Sequence, residues 1–270
     1  MKNTLLLGCI LAMFFAACKQ DSKGAGNQNE PENNFASPRL LAGHWVAIDF
    51  CSRADQYGSV LDAMNNAHLP YAFAISFDPN KPDSAICHNG IESWTLPVQF
   101  NDDTLELKNA SQGKSVFLVY NSQGQKDITM FDATKGRAQL DRFIKSAANT
   151  LDGTAAFTTA LNHNLFNGAF FAPGKNGGEN IQFTPGGFIL NWPLFDRYKV
   201  CYAGDCFVAG SEIDVITLYR SDKENSEQIF GFRYDETNAN LEFYRLAPAG
   251  GDKSAYAVKE SVYKFSRKRG

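Results

Sequence analysis

Few side chains in this chain stand in a pattern that could carry chemistry. Its four histidines, His44, His68, His88 and His163, lie far apart in sequence and share no flanking pattern. Nucleophilic catalysis needs a base within hydrogen-bond reach of the nucleophile, and an elbow-type hydrolase carries Gly-x-Ser-x-Gly. That motif does not occur, nor does HExxH, a P-loop or a dinucleotide fingerprint. Asp102-Asp103 and Asp235-Glu236 offer paired carboxylates for acid and base work, yet both sit in hairpin-like turns where Asp serves the backbone. Asp205, Glu212 and Asp214 are oxygen ligands of the kind calcium takes, without the loop spacing that forms a cage. The expectation is a chain that is not an enzyme and uses no metal or other cofactor.

Aromatic side chains are the remaining candidates. Trp94, Trp192, Tyr71, Tyr198 and Tyr202 fall near the ends of expected strands, where rings at a barrel mouth could hold a lipid, a glycan or an apolar metabolite. The same rings serve as interior filler, because a small barrel is either filled or holds one small ligand. His44 stands between Gly43 and Trp45 on a strand, so it is expected to face solvent on the side away from the indole.

The elements that must position these groups are mostly short strands. Residues 45–50, 72–77, 104–107 and 116–120 alternate large apolar with smaller or polar side chains. After residue 165 come 168–172, 180–184, 188–192, 198–202, 214–219, 229–234, 241–246 and 256–265, separated by turn signals such as Pro185-Gly186-Gly187 and Gly250-Gly251. Such spacing predicts an all-β barrel or sandwich. Between the halves, Ala138, Leu140, Phe143, Ile144, Ala147 and Leu151 lie near helical spacing, which predicts a helix over 135–151 broken by Gly153. Residues 155–162 and 56–66 are further helical candidates.

The halves also match each other. Leu41-Ala42-Gly43-His44-Trp45 aligns with Phe166-Asn167-Gly168-Ala169-Phe170, and Ile75-Ser76-Phe77-Asp78-Pro79 with Ile181-Gln182-Phe183-Thr184-Pro185. Asp103–Leu107 aligns with Asn238–Phe243 after a one-residue gap. The order is kept and each match falls on a strand start or turn, so a duplicated β unit is expected.

The chain opens with Met1-Lys2, an apolar run from Leu5 to Ala17, and then Cys18. A run of about 13 apolar residues falls short of the roughly 20 that span a bilayer and reads as a secretory signal with a small-residue cleavage site. The segment resembles a bacterial lipoprotein signal. That resemblance implies removal of residues 1–17 and acylation of Cys18 by palmitate-type chains, more than one of which gives stable membrane attachment. Phe15, where the box usually has Leu, is familiar in Bacteroidetes-type lipoproteins. Residues 18–35 then read as the acylated cysteine and a polar, disordered tether, with an rms reach of roughly 20–24 Å. The lipoprotein resemblance implies an address at the bacterial outer membrane, facing the periplasm or the exterior, and Lys19-Gln20-Asp21 loosely resembles a surface-export signal. Cleavage removes Lys2 and moves the net charge from −3 to −4, which argues against nucleic acid as a partner.

Of six cysteines, four remain once Cys9 and Cys18 are set aside, and an even count in an exported chain suggests disulfides. Cys201 and Cys206 flank the turn-like Tyr202-Ala203-Gly204-Asp205 and could close a hairpin, which leaves Cys51 with Cys87. The alternative, a metal site from Cys201, Cys206 and Cys87-His88, is a poor zinc pattern.

Gly43-His44-Trp45 and Gly168-Ala169-Phe170 look like the Gly-x-Trp opening of lipocalin-like (calycin-like) barrels, in which the aromatic ring plugs the closed end. The resemblance assigns that structural role to Trp45 and Phe170. The fold expected is mainly β, with two lipocalin-like antiparallel barrel or meander units joined by a helical linker. The expected divisions are 36–133, a linker over 134–163, and a C-terminal barrel over 164–270. By fold analogy the chain binds a small apolar or amphipathic molecule, or acts as a non-catalytic structural or interaction module of an envelope complex.

Overall fold

The computed structural model describes residues 35–65, 69–111, 113–132, 138–147, 152–173, 180–204, 213–249 and 252–268. Cys18, the signal, His68, Asp205, Cys206 and Glu212 lie outside them. A short helix α1 (Pro38–Leu41) precedes β1 (Gly43–Ala47), which runs directly into α2 (Ile48–Tyr57) and then α3 (Val60–Met64). Seven more strands follow: β2 (Ala74–Phe77), β3 (Ser84–His88), β4 (Ser93–Asn101), β5 (Thr104–Ser111), β6 (Lys114–Asn121), β7 (Asp127–Asp132) and β8 (Ala138–Lys145). Each pairs antiparallel with its neighbour in the chain, and β8 returns to β1 to close the barrel.

Alternation explains the strands. Along β4, Leu96 and Val98 are buried while Thr95, Pro97 and Gln99 are exposed, the two-residue period of a strand with one face on a core. Asp102 and Asp103 make the tight turn into β5, and Asp102 takes φ 55° there. Their turn role is the one the sequence assigns.

Helix α4 (Gly153–Leu165) joins this barrel to a second sheet. The second sheet comprises β9 (Ala169–Phe171), β10 (Asn180–Phe183), β11 (Ile189–Leu190), β12 (Arg197–Val200), β13 (Asp214–Tyr219), β14 (Gln228–Tyr234), β15 (Asn240–Ala249) and β16 (Asp252–Lys268). The strand order is β11-β10-β9-β16-β15-β14-β13-β12. The seam between β11 and β12 is bridged by Phe188 and Arg197 and by the Ile189 and Tyr198 amides, which donate to the Asp196 and Gly187 carbonyls at 2.9 Å. The protein is thus mainly β, with one closed and one nearly closed eight-stranded up-and-down barrel.

The duplication holds at the openings of the two barrels. Gly43 and Gly168 both adopt φ 115°, a conformation open to glycine and strained for other residues. Trp45 pairs with Ile75 in β2 as Phe170 pairs with Ile181 in β10, the register that the first two sequence matches require. The third match fails. Leu105–Leu107 lies on the fifth strand of its barrel, whereas Leu241–Phe243 lies on β15, the seventh of the other. A short Leu-Glu-apolar phrase fits any half-buried strand, so it does not mark an equivalent place.

Two helix expectations are corrected. Within 135–151, residues 138–145 form a strand, because β8 is needed to close the first barrel. The inward row of β8 includes Asp141, while its outer face carries the half-buried Leu140 and Ile144, so polarity masks the two-residue alternation. The first unit therefore extends to Lys145, and Gly153 begins a helix, with Asp152 as N-cap accepting the Ala155 amide at 2.8 Å. The helix expected over 56–66 begins earlier, at Ile48, and β1 ends at Ala47, so Phe50 is helical.

Candidate functional site

The two ends of the first barrel differ. At one end Trp45 meets α1: the indole Nε1 donates to the Leu41 carbonyl at 2.7 Å, and the ring meets Tyr120 edge-on at 6.2 Å. Trp45 is buried, as the resemblance implies. Phe170 is buried at the matching place in the second barrel, with the Arg267 guanidinium 5.7 Å from its ring.

At the other end lies an aromatic and polar rim. Tyr71, just before β2, reaches across the mouth to donate its hydroxyl to the Ala110 carbonyl on β5. Trp94 on β4 donates its Nε1 to the same hydroxyl at 3.0 Å, with the rings edge-on at 5.6 Å. The Tyr71 amide points to the Met130 sulfur at 3.3 Å on β7. Both rings are half-buried, and burial pushes the Tyr71 phenol up. Beneath them the lumen is apolar, with Leu96, Val98, Leu105, Leu107, Leu118 and Ile128 buried.

Asp141 completes this rim. Its side chain is fully buried, accepts the Asp49 amide at 3.1 Å from the first turn of α2, and meets the Arg53 guanidinium at 3.2 Å. Burial pushes its carboxyl up to about 7, with Arg53 pulling the other way. No sequence motif marks Asp141; its only signal is an acidic residue in the same inward row as Phe143.

A second cluster lies on the outer face of β1–β3. Ser76 Oγ sits 2.7 Å from His44 Nδ1 and 2.9 Å from His88 Nε2. His88 Nδ1 reaches Ser93 Oγ at 2.7 Å and Thr154 Oγ1 at 3.4 Å. His44 points away from the Trp45 side, as expected, yet it is half-buried and hydrogen-bonded. Burial lowers the His88 pKa, and the Asp152 charge partly offsets that. A serine between two imidazoles has the composition of a nucleophile with its base. Its place argues for structure: a Cβ at Gly153 would lie 2.6 Å from His88 Nε2 and 2.9 Å from Ser76 Oγ. The α4 backbone therefore occupies the space a substrate carbonyl would need above Ser76, and the cluster fastens α4 to the barrel.

The other aromatic candidates are filler. Trp192 packs among Phe183, Phe195, Phe243, Tyr263 and Phe265, with ring centroids 5.1–6.3 Å away. Tyr198 is buried beside Phe166 and Phe183. Tyr202 packs on Phe73 and Phe157 between the barrels, and its hydroxyl meets Thr158 Oγ1 at 3.0 Å.

The expected pairing of Cys51 with Cys87 is overturned: both are free and buried. Cys51 lies on α2 near Asp141 and Arg53, whereas Cys87 lines the lumen in register with Ile75 and Trp94. Burial raises both thiols, Cys87 to about 12, so they stay protonated at neutral pH. Cys201 is disulfide-bonded. Its expected partner, Cys206, lies outside the described residues.

Among the described residues no three His, Cys, Asp or Glu side chains gather as a metal site, and no helix is long and apolar enough to cross a membrane. No protein-family model, curated protein or solved structure matches the chain.

Proposed function

We propose that this chain is an envelope lipoprotein, held by acylated Cys18, that binds a small apolar or amphipathic molecule at the mouth of its first barrel. The observation that carries this reading is the Tyr71–Trp94 pair. Two half-buried rings, joined through the Tyr71 hydroxyl, stand over an apolar lumen. Binding sites of this class combine mostly apolar walls with a few placed polar groups. Tyr71, Trp94 and the Asp141–Arg53 pair supply those groups, and neither catalysis nor a cofactor is required. The second barrel supports the first. Its inward residues Phe170, Phe183, Phe230, Phe232, Phe243 and Phe265 are buried against one another, which leaves that lumen to its own side chains.

A second reading, an interaction module of an envelope complex, is favoured by an apolar hollow of about 300 Å³ on the outer face of β5–β7, lined by Thr104, Phe117, Val119 and Phe131. Native mass spectrometry of protein purified from its own membrane, with the tether trimmed, separates the two. A reproducible mass above the polypeptide, lost in Trp94→Ala, supports the binder. A bare mass that stays unshifted through a lipid and glycan screen supports the interaction module.

A further inference from the structure

The second barrel carries an apolar knob on its outer face. In β11 the side chain of Ile189 points inward and is buried, so Phe188 and Leu190 on either side stand outward, each 44% exposed. The turn before β11 holds Phe188 in place. Its amide donates to Thr184 Oγ1 at 3.1 Å, and its carbonyl accepts the Thr184 amide at 2.8 Å. The Arg197 guanidinium covers the ring, 3.5 Å from its centroid. The next outward residue of β12 is the exposed Lys199. This part of the wall therefore presents two apolar side chains and two cations, with no acid among the outward residues of β11 and β12. Asp196 and Asp222, in the adjoining turns, are already engaged. Asp196 accepts the Ser221 amide at 2.7 Å and its hydroxyl at 2.6 Å, and Asp222 lies 2.7 Å from Arg220.

The first barrel carries a hollow of the opposite character. On the outer face of β5–β7, Thr104, Phe117, Val119 and Phe131 line an apolar space of about 300 Å³. Phe117 stands across the ladder from Phe131, and Val119 across from Thr104. Sites for whole small molecules run from roughly 300 to 1,000 Å³, so this one suits one or two apolar side chains. Its border is acidic. Asp103 accepts the Thr104 hydroxyl at the lip, at 3.3 Å. Residues 102–132 hold five acids against three lysines, and one of those lysines, Lys108, is paired with Glu106.

We propose that these two faces fit one another between copies of this chain. Phe188 and Leu190 of one copy enter the Phe117–Phe131 hollow of the next, with Arg197 and Lys199 against its acidic border. This names a partner for the second of the two readings above and rests on that reading; the small-molecule reading stands apart from it. Contact removes apolar surface from water on both faces, and a knob already held by its turn and by Arg197 costs little to order. Charge sets the direction, because hollow against hollow or knob against knob would bring like charges together. The knob lies on the second barrel and the hollow on the first, so the contact is heterologous. Each added copy leaves one knob or one hollow unused, and growth continues into a ring or a filament. Two side chains in one hollow make a smaller contact than the roughly 800 Å² per partner of a stable pair, so the association is weak and concentration-dependent.

Sedimentation velocity tests the contact on the chain from residue 19 onward, which keeps every described element. The weight-average sedimentation coefficient should rise between about 10 and 500 μM, the range of weak association. Phe188→Ser removes the knob and Val119→Arg fills the hollow, and each variant alone should stay at the monomer value. Mixed in equal amounts, the two should form a 1:1 dimer and stop there, because the pair retains one working knob and one working hollow. That recovery also shows that both variants fold. Thr104→Arg, at the half-buried lip, takes the place of Val119→Arg where melting shows the latter unfolded. A native chain that stays monomeric throughout would overturn the proposal and leave the hollow to a different protein. So would self-association that survives either substitution, or a mixture of folded variants that stays monomeric.

Discussion

Gly153 shows how much one missing methyl group can decide. Alanine is a better helix former than glycine by about 1 kcal/mol, so Gly153→Ala would stabilise an isolated α4. Here the added Cβ would lie 2.9 Å from Ser76 Oγ and 2.6 Å from His88 Nε2. The clash should dominate and cost about 1–3 kcal/mol, as overpacking does, read as a lower denaturant midpoint. Trp45 makes the complementary case. Its ring is buried and its nitrogen is paired with Leu41, so Trp45→Ala should cost about 3–5 kcal/mol. A nearly unchanged melting temperature would mean that the ring is no plug. His88 is a pH probe. Its folded pKa lies below the ordinary 6.5, so the unfolded chain binds the proton more tightly. Stability from this group is complete above pH 6.5 and falls as pH drops through 6.5 toward the folded value. His88→Gln should lose that acid-side slope in urea titrations from pH 7 to 5.

At the scale of elements, β8 and α2 carry the surprises. The inward Asp141 gives β8 a polar residue where alternation asks for an apolar one, and the helix it clasps starts eight residues before the one the sequence suggests. The two meet where the Asp49 amide donates to the Asp141 carboxylate at 3.1 Å. The cysteines are also decided between elements. Non-reducing peptide mapping should recover Cys201 linked to Cys206, with Cys51 and Cys87 as free thiols after denaturation. A linked Cys51–Cys87 peptide would contradict the placement of Cys87 in the lumen.

For the whole molecule, two barrels of like topology have taken different interiors. The second is filled by stacked and edge-on phenyl rings; the first mixes buried aliphatic side chains with the rings of Trp45, Tyr120 and Phe143. Under the proposed function, the first unit meets the ligand and the second is scaffold. The proposed membrane attachment rests on Cys18 alone and is tested separately. Cys18→Ser should release the protein into the soluble fraction on cell fractionation, and continued retention with membranes would refute the anchor.

The sequence by itself determined the β class, the eight turn-separated strands after residue 165, the turns at Asp102-Asp103 and Asp235-Glu236, and the paired openings at Gly43 and Gly168. These follow from local rules: side-chain alternation, turn chemistry and backbone conformations open to glycine. Only the tertiary structure decided that 138–145 closes a barrel, that Ser76 lies between His44 and His88, and that Asp141 accepts the Asp49 amide and Asp214 the Leu61 amide. The partners in these contacts lie 12 to 153 residues apart in the chain. A buried polar group is stable only beside its partner, and no local pattern in the sequence says where that partner will be.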